Sequence, residues 1–119
     1  MADFFKLIKN NETLTTHVVR ASTFFEKAKG LLGRKEMAKD EVLWLSPCRS
    51  VHTFFMKFPI DVIFLNREGR IAALIPHLKP NRMTSIYIFA REALECAEGT
   101  IERWGLKKNE ILELRRIDV

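Results

Sequence analysis

The stretch "PCRSVHTFFMKFPIDVIFL", residues 47 to 65, sets Cys48, Ser50, His52 and Thr53 within six positions and then becomes almost continuously apolar. Cys48 and His52 are the residue types of a thiol nucleophile and its imidazole base. Four apart, they would meet on one face of a helix. Yet "SVHTFFMKF" is rich in β-branched and aromatic residues that favour a pleated strand, where i and i+4 stand about 13 Å apart at roughly 3.3 Å per residue. A dyad therefore requires a sharp bend, which Pro47 at the entrance allows without dictating. As a strand, the segment points Ser50, His52, Phe54 and Met56 one way and Val51, Thr53 and Phe55 the other. A histidine on such a face is more often part of a core or pocket wall than a ligand.

Asp61 lies inside "FPIDVIFL" with apolar neighbours on both sides. Burying an ionised carboxylate without a partner costs several kcal/mol. Three readings follow: a structural pair with Lys57 or an arginine, an acid lining a cleft, or simple exposure at a sheet edge. Cys48, His52, His77 and Cys96 supply soft ligands, but none of the paired spacings of a zinc site is present, so neither a metal nor a cofactor is expected. Gly-rich phosphate loops, nucleophile elbows and paired glycosidase carboxylates are absent from the sequence.

The elements that must position these residues read mostly as strands. "FFKLI" and "TLTTHVV" flank "KNNE", whose asparagines tolerate positive φ, and form a hairpin. Thr23 and Glu26 make a capping box for a short amphipathic helix over residues 23–32, ending near Gly33. "VLWL" is a short strand before Ser46-Pro47. "IDVIFL" and "RIAALIPHL" form a second hairpin around "NREG". "IYIFA" adds a strand, "REALECA" is open between helix and strand, residues 99–105 form a short helix closed by Gly105, and "EILELRRI" is a last strand.

The 119 residues suit a single domain, residues 1–119, with 47% hydrophobic and 29% charged residues, the balance of a packed globular protein. The N-terminus lacks the pattern of a secretory signal and no apolar run reaches a membrane span, so a cytoplasmic protein with no membrane partner is expected. Cys48 and Cys96 are accordingly read as thiols. The net charge of +5 raises nucleic acid as a partner, but the cations are interleaved with acids, as on a solvated mixed surface.

Several motifs in order resemble the family called domain of unknown function 192, also uncharacterised protein family 0127. Glu26, Gly30, Leu31 and Arg34 match its helix motif. Phe54, Met56, Lys57, Pro59 and Asp61 match its central motif, and Leu94, Glu95 and Gly99 its late one, so the resemblance spans residues 12 to 117. Phe55 stands where tryptophan is usual, "MKFPID" is shorter than the family pattern, and Asn109-Glu110 replaces a Gly-Asp pair. The resemblance implies a compact, strongly β domain with a barrel-like core and small helices, and brings no reaction with it.

The expected fold is α+β and mainly β, a small, partly closed antiparallel barrel with two short helices. The expected function is a binding or accessory module for a small molecule or protein partner. Arg49, His52, Lys57 and Asp61 are the polar groups of its cleft and Phe54, Phe55 and Met56 the apolar wall. The alternatives are an enzyme using Cys48 as nucleophile and His52 as base, and nucleic-acid binding through the basic surface.

Overall fold

A computed structural model describes residues 4–21 and 31–117. Seven strands form one sheet: β1 (Phe4–Lys9), β2 (Glu12–Ala21), β3 (Val42–Leu45), β4 (Ile60–Leu65), β5 (Ile71–Leu78), β6 (Glu92–Ala97) and β7 (Glu113–Arg116). A single turn of helix, α1 (Thr100–Arg103), follows β6. Across the sheet the order is β5-β4-β6-β3-β2-β1-β7.

The two hairpins stand where the turn residues place them. Asn10 and Asn11 both take positive φ, 50° and 64°, and close β1 onto β2 with Lys9 opposite Glu12. Asn66 holds the second turn by accepting the N–H groups of Glu68 and Arg70 on its side-chain oxygen, both at 2.9 Å. Gly69 occupies the left-handed region of that turn, φ 81°, where a Cβ would stand 2.7 Å from the Leu112 carbonyl oxygen. Glycine is needed there for both conformation and approach.

Strand β4 is buried at all six residues, "IDVIFL", because both sheet faces are covered. On one face Ile63 and Leu65 join Phe5, Leu7, Val18, Val42, Trp44, Leu94 and Cys96, closed by Ile101 and Leu106 from the α1 region. On the other, Ile60, Val62 and Phe64 pack with Leu45, Val51, Met56, Ala90 and Ala93. The loops at 46–59 and 79–91 cover this second face.

The sheet is not closed, so the expected barrel is not borne out. β2 and β3 run parallel and the other strand pairs are antiparallel. β5 and β7 are the edges, and β5 carries Pro76, which lacks the N–H a central strand would use. The ends of the two edge strands meet at the isolated bridge between Arg70 and Ile111, with Leu112 N–H donating to the Gly69 carbonyl at 2.9 Å.

Other expectations are corrected or refined. Residues 50–58 form no strand: His52 makes an isolated bridge to Met83, and the chain then turns at Phe55, φ 66°, with Met56 N–H donating to the Thr53 carbonyl. The strand expected at "IYIFA" is a loop whose Ile86, Ile88 and Phe89 are exposed. "REALECA" resolves to strand β6, and the late helix is confined to Thr100–Arg103. Most of the helix expected over residues 23–32 lies outside the described residues, and Leu31 to Gly33 form a turn. No helix among the described residues is long and apolar enough to cross a membrane.

Candidate functional site

Two irregular segments, 48–56 and 79–91, are sewn together by long-range backbone bonds. Thr53 N–H donates to the Arg82 carbonyl at 2.8 Å, and Thr84 N–H to Val51 and Tyr87 N–H to Arg49, both at 2.9 Å. Thr53, fully buried, adds its hydroxyl, which donates to the Lys79 carbonyl at 2.6 Å and accepts the Arg82 N–H at 3.0 Å. Cys48 N–H donates to the Arg91 carbonyl at 2.8 Å, fixing the segment's entrance. These bonds satisfy the backbone without strand pairing, which frees the segment to turn.

Beneath the first segment lies a cavity of about 360 Å³. Leu31, Leu45, Val51 and Met56 form its apolar wall, and Leu32 and Phe54 also line it. Cys48, Arg49, Ser50, His52 and Glu95 bring polar atoms to it. The Cys48 thiol donates to the Ser50 carbonyl at 3.1 Å. The His52 ring stacks on Phe54, centroids 5.1 Å apart and 23° from parallel. The Arg49 Nε donates to the Ala90 carbonyl at 3.2 Å, which ties this residue to the end of the 79–91 loop.

Glu95 is the residue that sequence reasoning placed in a motif without a role. In β6 it lies between Leu43 of β3 and Val62 of β4, on the sheet face that carries the cavity. It is 6% exposed, and among the described residues no side chain or backbone group bonds to its carboxylate. Burial pushes its pKa up to about 7, since an ionised carboxylate loses its hydration there. The signal available in the sequence was a charged residue inside "ALECA", once that segment is read as a strand covered on both faces.

The central-motif residues divide. Cys48, Arg49, His52, Phe54 and Met56 meet at the cavity. Phe55, 84% exposed, and Lys57, also exposed, are not among its lining. Asp61 is fully buried elsewhere and is partnered by backbone rather than by Lys57 or an arginine. Its Oδ1 accepts the N–H of His77 at 3.0 Å and its Oδ2 the N–H of Ile101 at 2.9 Å. It thereby fixes a residue of left-handed φ, His77 at 54°, and the first turn of α1. Among the described residues there is no group of three His, Cys, Asp or Glu that could hold a metal ion.

Cys96 points to the opposite core, is wholly buried, and has its thiol pKa raised chiefly by burial and further by the nearby Asp61 and Glu95 carboxylates. It is a core residue, chemically separate from Cys48. At the C-terminal end Asn109 takes φ 77°, so the substitution of asparagine for the family glycine keeps the left-handed turn. Glu110 accepts the Lys107 N–H at 2.6 Å and pairs with Lys9 at 3.0 Å.

An open, mainly β sheet with a polar-lipped cavity under a looped segment defines a small mixed-sheet protein. The chain belongs to the DUF192 family, described as Uncharacterized ACR, which it matches over residues 6–114. Among solved structures it is similar to a protein of unknown function from Novosphingobium aromaticivorans DSM 12444, with a TM-score of 0.80 and 20% identity over 94% of this chain and 84% of that one. It is also similar to a protein of Sinorhizobium meliloti 1021 described as a candidate transcription regulator, with a TM-score of 0.77 and 22% identity over 96% and 94% of the two chains. At these identities the likeness shows the fold. No curated protein matches the chain.

Proposed function

We propose that the protein is a small, single-domain cytoplasmic binding or accessory module whose ligand enters the cavity behind residues 48–56. The observation that carries this reading is the cavity's construction, an apolar wall with Arg49, His52 and the buried Glu95 converging on one space. Its volume, about 360 Å³, lies at the small end of the range for small-molecule sites. The exposed Phe54 and Phe55 extend the apolar surface beside it, which also suits a peptide partner. A thermal-shift screen of small metabolites on the wild type and on Leu32→Trp, which fills the cavity edge, tests the reading. Stabilisation of the wild type that the variant loses supports it; equal stabilisation of both argues against it.

A second reading keeps Cys48 as nucleophile and His52 as base. It is supported by their lining the same cavity. An acyl or thiol-transfer substrate would then occupy the space proposed for the ligand, and a thiol reactive well below pH 8 that slows in His52→Ala would favour it. Nucleic-acid binding through the basic surface is a weaker reading, supported by the net charge of +5 and by the Sinorhizobium neighbour's description. Binding that falls steeply with salt would bring it forward.

A further inference from the structure

Glu95 is the most costly feature of the cavity. The neighbouring strands place it on the sheet face that carries the cavity, which it lines, with Leu43 on one side and Val62 on the other. Buried polar groups are almost always hydrogen-bonded, and an unpaired one demands an explanation. Asp61, the other buried acid, meets the rule with two backbone amides, whereas Glu95 has neither a backbone nor a side-chain partner among the described residues. Water in the cavity can hydrate it in part, but a partner of opposite charge supplied by a ligand would gain far more in such surroundings.

Resting on the reading of this cavity as a ligand site, we infer that its ligand carries one positively charged nitrogen, held by Glu95, on a compact apolar body that lies against Leu45, Val51 and Met56. Arg49 sets the limit of one charge. It lines the same cavity, so a second cation there would be repelled. Arg49 could instead attract a carboxylate ligand, but it is exposed, so water already meets its charge, and it donates to the Ala90 carbonyl. The group with the larger unmet demand is the one without a partner, and that is Glu95. The ligand class is therefore a primary or secondary ammonium on an aliphatic or aromatic frame.

The test uses the whole chain and three probes of nearly one shape, 2-phenylethylamine, 2-phenylethanol and 3-phenylpropionate, titrated while the amide signals of Leu94, Glu95 and Cys96 are followed by NMR. The amine is expected to bind roughly tenfold or more tightly than the alcohol, the margin of a charge-assisted hydrogen bond. Glu95→Gln is expected to reduce the amine to the alcohol's level. If the alcohol or the carboxylate binds as well as the amine, or if Glu95→Gln keeps the preference, the ammonium assignment is overturned while the cavity remains a binding site. If no probe moves these signals, the binding reading itself fails and the assignment with it. The comparison within the wild type stands even if the variant folds poorly.

Discussion

The carboxylate of Asp61 accepts the backbone N–H of Ile101 across 40 residues of chain, at 2.9 Å, and joins strand β4 to the first turn of α1. Its other oxygen holds His77, so one buried side chain pins both a residue of left-handed φ and a single turn of helix. Asp61→Ala leaves both amides without an acceptor. A loss of roughly 2–5 kcal/mol is expected in denaturant unfolding. Asp61→Asn retains one acceptor and turns a donor toward the other amide, so it too should destabilise, by a smaller amount.

Glu95 makes stability depend on pH in the opposite sense to a paired acid. Its folded pKa, about 7, lies above its ordinary value of 4.5, so the folded state holds the proton more tightly than the unfolded chain does. Its contribution is fully present below pH 4.5 and is lost as pH rises through about 7. The loss amounts to about 3 kcal/mol at most. Glu95→Gln should remove this slope, and its advantage over the wild type should grow from acid to mildly alkaline pH in urea unfolding curves.

Gly69→Ala should lower stability by roughly 1–3 kcal/mol, because the turn needs positive φ and the Leu112 carbonyl stands where a Cβ would go. The same turn bonds to Leu112 through the Gly69 carbonyl, so faster amide exchange at Leu112 is the local signature to measure.

The two thiols should separate cleanly under native alkylation. Cys48 is half-buried at the cavity and Cys96 is completely buried with its thiol pushed toward the neutral form. One label per folded chain is expected, on Cys48, with Cys96 modified only after unfolding. Mass spectrometry of the labelled peptides reads this directly.

Much of the sheet was legible because its determinants are local. Asn10 and Asn11 announce the first turn, "NREG" the second, and the nearly continuous apolar run of β4 a strand of the second hairpin. The family motifs were likewise readable and the match over residues 6–114 bears them out. What failed depended on distant partners. "SVHTFFMKF" has strand composition, yet its backbone is satisfied by residues 79–91, which hold it as a loop, and no local pattern encodes that. Asp61 drew attention as a buried acid, but its partners are amides 16 and 40 residues away and not a charged side chain. Glu95 was passed over because "REALECA" fits helix and strand alike, and only the strand reading exposes an acid between two apolar neighbours.

In the proposed reading, the space lined by Cys48, Arg49, His52, Met56 and Glu95 is where this protein meets its ligand. Mapping amide shifts across the whole chain against a fragment library, without prior choice of chemistry, tests it most directly. Fragments that bind are expected to move signals in 47–56 and 94–96 together and to leave those around Asp61, His77 and Lys107 in place. Shifts centred on the latter group, or on the basic surface alone, would contradict it.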